Sequence, residues 1–273
     1  MQYDPIKRSL GKVFNRNPFL RKIFYSLLDL LLLRAWHVHQ ELRSFSGWKK
    51  PGLNVLDAGA GFGQYSFWMA RKNKDWNITS LDVKEEQVAD CNTFFRQAGM
   101  AERVHFQVGD LTEYRKEDAY DLVICVDVME HIEDDVKVFQ NYHASMKPGA
   151  MLLISTPSDQ GGSGLDEHHE DGEVHGFIDE HVRDGYNIID IEEKLISAGF
   201  NSVDKRYQYG RPGKIAWKLS MMYPLTMLNK SKLFFIILPF YYLITYPISF
   251  VLNMLDVNEA HSSGSGLIVK AWK

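Results

Sequence analysis

The segment VLDAGAGFGQYS, residues 55–66, constrains the fold of this chain more than any other stretch. An apolar run ends on an acid, Asp57. Gly59, Gly61 and Gly63 follow at alternate positions, and YSFWMARK then reads as a helix. Glycines so spaced let the backbone turn tightly and approach a bound group closely. A strand that passes through such a loop into a helix builds a ligand cradle at the helix N-terminus. A dinucleotide-binding loop would carry a further glycine at position 64, where this sequence has Gln64. An acid ahead of the glycines suits a ligand with an ammonium group better than a pyrophosphate.

Around this loop, strand-like and helix-like runs alternate. LNVLDAG, NITSLD, RVHFQV, YDLVICV and AMLLIST read as strands. KEEQVADCNTFFRQAG and HIEDDVKVFQNYHASM read as helices between them. This alternation implies a parallel sheet covered on both faces. NIIDIEEKLISAGF reads as a last helix, capped by Asn187 and ended at Gly199. SVDKRYQY and GLIVKAWK read as two more strands. Residues 18–46 read as one helix, with Pro18 in its first turn after Asn17. The division expected is therefore a basic, amphipathic helical segment over 1–50, a core over 51–210, a hydrophobic insert over 211–262 and a last core strand over 263–273.

The totals, 273 residues with 45% apolar and 24% charged side chains, are those of a globular protein. A net charge of −4 gives no pull toward nucleic acid, and none is expected as a partner. Two cysteines, Cys91 and Cys125, imply no disulfide framework and fit a reducing cytoplasm. YSLLDLLLL, interrupted by Asp29 and lacking a small-residue cleavage site, makes a poor signal peptide. Charge is unevenly placed. Residues 1–50 carry ten Lys and Arg against three acids, and residues 205–255 carry seven and no acid. Two basic zones around an acidic middle suggest an anionic lipid surface as a shared environment.

On these motifs the chain resembles class I S-adenosylmethionine-dependent methyltransferases, over roughly residues 50–210 and the final strand. The resemblance implies an α/β, Rossmann-like seven-stranded sheet, here with an N-terminal helical segment and a hydrophobic helical insert before the last strand. It implies S-adenosylmethionine as cofactor. Asp57, Gly59 and Gly61, with Gly63 in the same loop, match the motif at the methionine part. Asp82, 25 residues after Asp57, matches the acid that takes the ribose hydroxyls. Asp110 and Leu111 match the pair at the adenine, and KPGAMLLISTP matches the fifth-strand motif. Each acid alone also reads as a strand-end carboxylate capping a turn.

CVDVMEHIEDD narrows the resemblance to the type 11/12 subgroup and to the O-methyltransferases of ubiquinone synthesis. There an acid-x-x-Glu-His pattern holds a divalent ion; here it reads Asp127, Glu130 and His131, an oxygen-rich set suited to Mg²⁺. Asp127 also counts as a cofactor neighbour. The alternatives are that Glu130 and His131 begin the next helix, or that His131 is a general base. The loop LDEHHEDGEVHGFIDEHVRDGY follows the fifth strand, on the edge where open α/β sheets bind ligands. Its His168, His169, His175 and His181 are candidates for a base or substrate contact on a lid. Their spacing and the lack of cysteine suit structural zinc poorly. Arg183 and Tyr186 read equally as structural or functional.

Between Lys232 and Asp256 lie 23 uncharged residues, enough to cross a bilayer. Yet the strands on either side must share one sheet, so a single crossing is disfavoured. A helical hairpin bent at Pro239 and Pro247, entering and leaving one leaflet by the same face, is expected. Tyr241, Tyr242 and Tyr246 would suit the interface. A soluble hydrophobic lid or dimer patch is the alternative. The expected protein is cytoplasmic, peripheral or monotopic on the inner face of the membrane. Its expected reaction is O-methylation of a lipophilic acceptor: aromatic, quinone-like, polyene pigment or lipid. Carbon or nitrogen methylation, or a non-catalytic scaffold that binds the cofactor, stand beside it. The oligomeric state is not legible.

Overall fold

The computed structural model describes residues 17–161, 182–231 and 233–273. Its strands are β1 (Asn54–Ala58), β2 (Asn77–Asp82), β3 (Val104–Val108), β4 (Tyr120–Val126), β5 (Met146–Pro157), β6 (Ser202–Gln208) and β7 (Gly266–Trp272). They form one sheet in the order β3-β2-β1-β4-β5-β7-β6. The first five are parallel, and β7 runs antiparallel between β5 and β6. The central strands are apolar because both faces are covered. Along β4, Val123 and Cys125 enter one core layer with Phe139 and Tyr142, while Leu122 and Ile124 enter the other with Phe67 and Phe95. The seven-stranded α/β expectation holds.

The N-terminal segment departs from the single helix expected over 18–46. It is two helices, α1 (Pro18–Leu31) and α2 (Leu33–Ser44), broken at Leu32, whose backbone is extended. Asn17 caps α1 by accepting the Phe19 N–H at 2.8 Å. The break lets the two helices do different work. From α1, the buried Arg21 donates to the Phe62 carbonyl at 3.0 Å, and Tyr25 donates to the same oxygen, fastening α1 over the glycine loop. From α2, His37 turns toward the insert.

The core helices are α3 (Gln64–Lys72), α4 (Glu85–Gln97), α5 (Asp135–Ser145) and α6 (Ile188–Ser197). The first motif-bearing helix after β4 therefore starts at Asp135, with Asp134 as its cap; Met129–His131 forms only a 3₁₀ turn. Asn187 caps α6 as expected, accepting from Ile189 N–H at 2.9 Å.

The insert is a hairpin, but its bend lies elsewhere than at the prolines. One arm comprises α7 (Arg211–Trp217), a π-turn (Lys218–Met222) and α8 (Tyr223–Lys230). The return arm, α9 (Phe234–Asn258), runs continuously through Pro239 and Pro247. The two arms meet between the end of α8 at Lys230 and the start of α9 at Phe234. Nor are all the tyrosines free for an interface. A π-turn loosens the regular ladder of backbone bonds, and Tyr241 and Tyr242 donate their hydroxyls to the Leu219 and Ser220 carbonyls there, each at 2.7 Å. The foot of α9 is fixed by Asp256, which is fully buried. Its carboxylate bonds His37 at 2.8 Å and accepts N–H groups from Tyr209 and Gly213 at 3.1 and 2.9 Å. Burial works against its charge, but these bonds hold it below the usual carboxylate range.

Candidate functional site

The glycine loop leaves β1 at the carboxyl edge of the sheet, beside the point where β1 separates β2 from β4, which is where open α/β sheets bind ligands. Gly59, Gly61 and Gly63 all adopt positive φ, at 75°, 52° and 78°. Gly59 and Ala60 donate to the Leu81 carbonyl at 2.9 and 2.8 Å, so the loop is laced to the end of β2. A Cβ on Gly59 would overlap the methyl groups of Val128, and one on Gly63 would come within 2.8 Å of Phe106. Gly61 differs, because a Cβ there meets nothing within 4 Å. Next to it, Asp82 accepts the Gly61 N–H at 2.8 Å with one oxygen and the Lys84 N–H at 2.9 Å with the other. A carboxylate has about four acceptor positions, so Asp82 keeps capacity for two hydroxyls.

Asp57, first in the motif, turns inward. It is buried and accepts a bond from Ser66 Oγ at 2.5 Å, and Ser66 in turn meets Ser80 at 2.7 Å. It thus ties the first turn of α3 to β1 and β2 from inside. Burial pushes its carboxyl up to about 7, from an ordinary 3.8. Between those values the folded protein holds a proton that the unfolded chain has lost. Stability therefore falls as pH rises through this window, by up to about 1.4 kcal/mol per pH unit. Asp57→Asn removes that slope. Relative to wild type, its unfolding free energy in urea is expected to gain about 2 kcal/mol between pH 5 and pH 7.5. A difference that stays flat over this range refutes the assignment.

Asp110 and Leu111 follow β3. Asp110 is exposed and accepts the N–H and hydroxyl of Thr112, both at 2.8 Å. Leu111 packs in the core, and Asn141 of α5 donates to its carbonyl at 3.0 Å. Two neighbours were missed in the sequence: Val83 and Val108, 56% and 52% exposed at the ends of adjacent strands β2 and β3. Exposed β-branched residues beside a polar turn provide flat apolar surface for a planar base. Glycines that leave room, an acid with spare capacity and an apolar ledge together fit S-adenosylmethionine.

At the end of β4, Asp127 has φ 53° and donates its N–H to the Ser155 carbonyl at 2.9 Å. Its side chain is ion-paired with Arg34 of α2. Glu130 turns inward, is buried and accepts from Thr156 Oγ1 at 3.1 Å, while His131 is half-buried in the 3₁₀ turn. The three proposed metal ligands are not brought to one point, and no group of three such residues among the described residues could hold a metal ion. The residues do not fit Mg²⁺: a guanidinium occupies Asp127 and a hydroxyl occupies Glu130. His168, His169, His175 and His181 lie outside the described residues.

Arg183 and Tyr186 make structural contacts. Arg183 pairs with Asp135, donates to the Ile132 carbonyl at 2.8 Å and stacks over the Tyr186 ring. Tyr186 donates to Asp135 at 2.7 Å, and Lys194 joins that carboxylate at 3.0 Å. The cluster holds the turn that carries Glu130 and His131. Gln64, the departure from a dinucleotide loop, also has a local task. It donates to Asp29 of α1 at 2.7 Å, and burial pushes that carboxyl up to about 6.

Comparison with known proteins agrees with this geometry. Residues 49–197 match the family described as Methyltransferase domain. A ubiquinone biosynthesis O-methyltransferase of Rickettsia felis is 29% identical over 104 residues, covering 38% of this chain and 41% of that protein. A phosphoethanolamine N-methyltransferase of Triticum aestivum is 29% identical over 155 residues, covering 56% of this chain and 29% of that protein. The chain thus spans less than half the length of these curated relatives. Among solved structures, Haemonchus contortus phosphoethanolamine N-methyltransferase 2 in complex with S-adenosyl-L-methionine superposes with TM-score 0.63. Its identity is 19%, over 97% of this chain and 59% of that one.

Proposed function

The chain belongs to the class I S-adenosylmethionine-dependent methyltransferases, the matched domain taking in 49–197, and from that premise we propose that it methylates an oxygen on a lipophilic acceptor at a membrane surface. One observation carries the lipophilic part of this reading. The hairpin whose arm α9 exposes an apolar surface is joined through Asp256 and His37 to α2, the helix that also delivers Arg34 to Asp127. Among the described residues, α9 is the one helix long and apolar enough to cross a bilayer. Because β7 returns to lie between β5 and β6, both ends of the hairpin stay with the sheet. It therefore dips into one leaflet, with the basic residues Arg211, Lys214, Lys218 and Lys230 on its first arm near anionic headgroups.

The bound cofactor supplies a methyl group on a positively charged sulfur. The protein's part is to bind and to orient. The glycine loop gives the donor its place, Asp82 holds a pair of hydroxyls, and α1 and α2 close the cradle from above. Placing the acceptor in line with the methyl group accounts for most of the acceleration such a reaction needs. A strong base is not required if the acceptor is already acidic.

The test is direct. Purified protein is titrated with S-adenosylhomocysteine by calorimetry, then incubated with isotopically labelled S-adenosylmethionine and a membrane lipid extract. The expected result is binding, and labelled O-methyl product in the organic phase by mass spectrometry. Binding without transfer to any extract would favour the scaffold reading and reject this one.

A further inference from the structure

We propose that Arg34 is the acceptor-binding residue, and that it selects an acceptor with an acidic oxygen, held as its oxyanion, over one that presents an amine. The inference rests on the methyltransferase reading and deepens it. Arg34 occupies the second position of α2, just past the break at Leu32. Its backbone N–H donates to the Tyr209 hydroxyl at 3.0 Å, which fixes the start of the helix. Its side chain reaches the carboxyl end of β4 and pairs with Asp127. Both side chains remain about one-third open, at 29% and 32% exposure, so a ligand can reach them.

The pair is incompletely satisfied. Arg34 Nε and Asp127 Oδ1 are buried and have no hydrogen-bond partner. A buried N–H of a cation left without an acceptor is costly, so the pair is held short of a settled arrangement and can shift toward a ligand that offers an acceptor. Among the described residues, Asp127 is the one carboxylate ion-paired with Arg34. Tyr65 and Tyr209 also lie near Arg34, and burial pushes both phenols up, so they stay neutral.

Charge decides the chemical class. A lone carboxylate at the end of β4 would attract an ammonium group. Here the guanidinium already cancels that carboxylate, and an amine would have to displace it or sit beside a cation. A phenol or enol meets the opposite situation. Its oxygen accepts from the open part of the Arg34 guanidinium, the cation favours the ionised form, and the proton passes to solvent as the O–H bond breaks. Asp127 is then a positioning residue that holds the guanidinium in place.

Nitrocatechol reports this without turnover, because its absorbance changes on ionisation; ethanolamine serves as the amine probe. Both are titrated into full-length protein saturated with S-adenosylhomocysteine. Wild type is expected to bind nitrocatechol with the spectrum of the anion, at a pH below that at which the free compound ionises, and to bind ethanolamine far more weakly. Arg34→Gln is expected to bind nitrocatechol about tenfold more weakly or worse, with the neutral spectrum. Arg34→Lys keeps the charge and should recover the anion spectrum in part. Nitrocatechol binding to Arg34→Gln with unchanged affinity and spectrum overturns the proposal. So does preferential ethanolamine binding by wild type, or no nitrocatechol binding at all. S-adenosylhomocysteine affinity separates the two claims: retained in Arg34→Gln, it shows an intact cradle, and absent from wild type, it removes the methyltransferase reading and this inference with it.

Discussion

Alanine at Gly59 is expected to weaken S-adenosylhomocysteine binding at least a hundredfold and to lower the melting temperature by several degrees. Two costs act together. At φ 75° any side chain is strained, by about 1–2 kcal/mol. The added Cβ would also overlap the Val128 methyl groups, so either the loop or the turn after β4 must shift. Shifting the loop breaks the bonds from Gly59 and Ala60 to the Leu81 carbonyl, and with them the placement of Asp82. Gly61→Ala is the informative control. Its Cβ meets no protein atom within 4 Å, so only the backbone strain remains and the fold should survive. If the open side of Gly61 is where the donor lies, that variant also loses affinity while melting close to wild type. Calorimetric titration and thermal melting of both variants decide the matter. Gly59→Ala with wild-type affinity would show that the cradle lies elsewhere.

The cradle was legible because its logic is local. A strand, three glycines and two acids within about thirty residues can be read without knowing what lies across the fold. The sheet was legible for a related reason, since buried strands are apolar wherever they pair. The pieces contributed across long distances were not legible. Nothing in LRAWHVHQ announces that Arg34 meets Asp127, or that His37 meets Asp256 at 2.8 Å. Each looks like an ordinary residue on an amphipathic helix. Asp57 stands first in the motif, but its inward bond to Ser66, which in turn meets Ser80, appears only in three dimensions. Strand topology points to a helical hairpin between β6 and β7, but the sequence suggests a bend at the prolines where α9 runs continuously through them. α9 tolerates two prolines because each removes a single N–H bond from a helix of 25 residues held elsewhere by its foot and by Tyr241 and Tyr242. The π-turn that recruits those tyrosines has no signature in KLSMM.

Removing the apolar face of α9 is expected to abolish membrane binding and leave the cradle untouched. Ile236, Phe240, Leu243 and Ile244 are 70%, 68%, 75% and 71% exposed and fall at helical spacing on one side. Such side chains have little reason to face water on a helix whose other side carries Ser249, Asn253 and Asp256 into the protein. Burying each in lipid contributes about 1–2 kcal/mol, so the four together supply about 4–8 kcal/mol. Replacing all four with serine should therefore reduce partition onto anionic vesicles by about three orders of magnitude or more. The foot at Asp256 is unchanged, so S-adenosylhomocysteine affinity should stay within about twofold of wild type. Vesicle flotation and light scattering, run on both proteins, separate the readings. Loss of flotation with a monomeric wild type supports a surface that enters the leaflet. A wild type that fails to float but dimerises through this face, with dimerisation lost in the variant, assigns the same side chains to a second copy of the chain and rejects the membrane. The outcome also bears on the acceptor, because a hairpin that enters lipid while joined through His37 to the Arg34 helix gives a lipophilic acceptor a route from the bilayer to the end of β4.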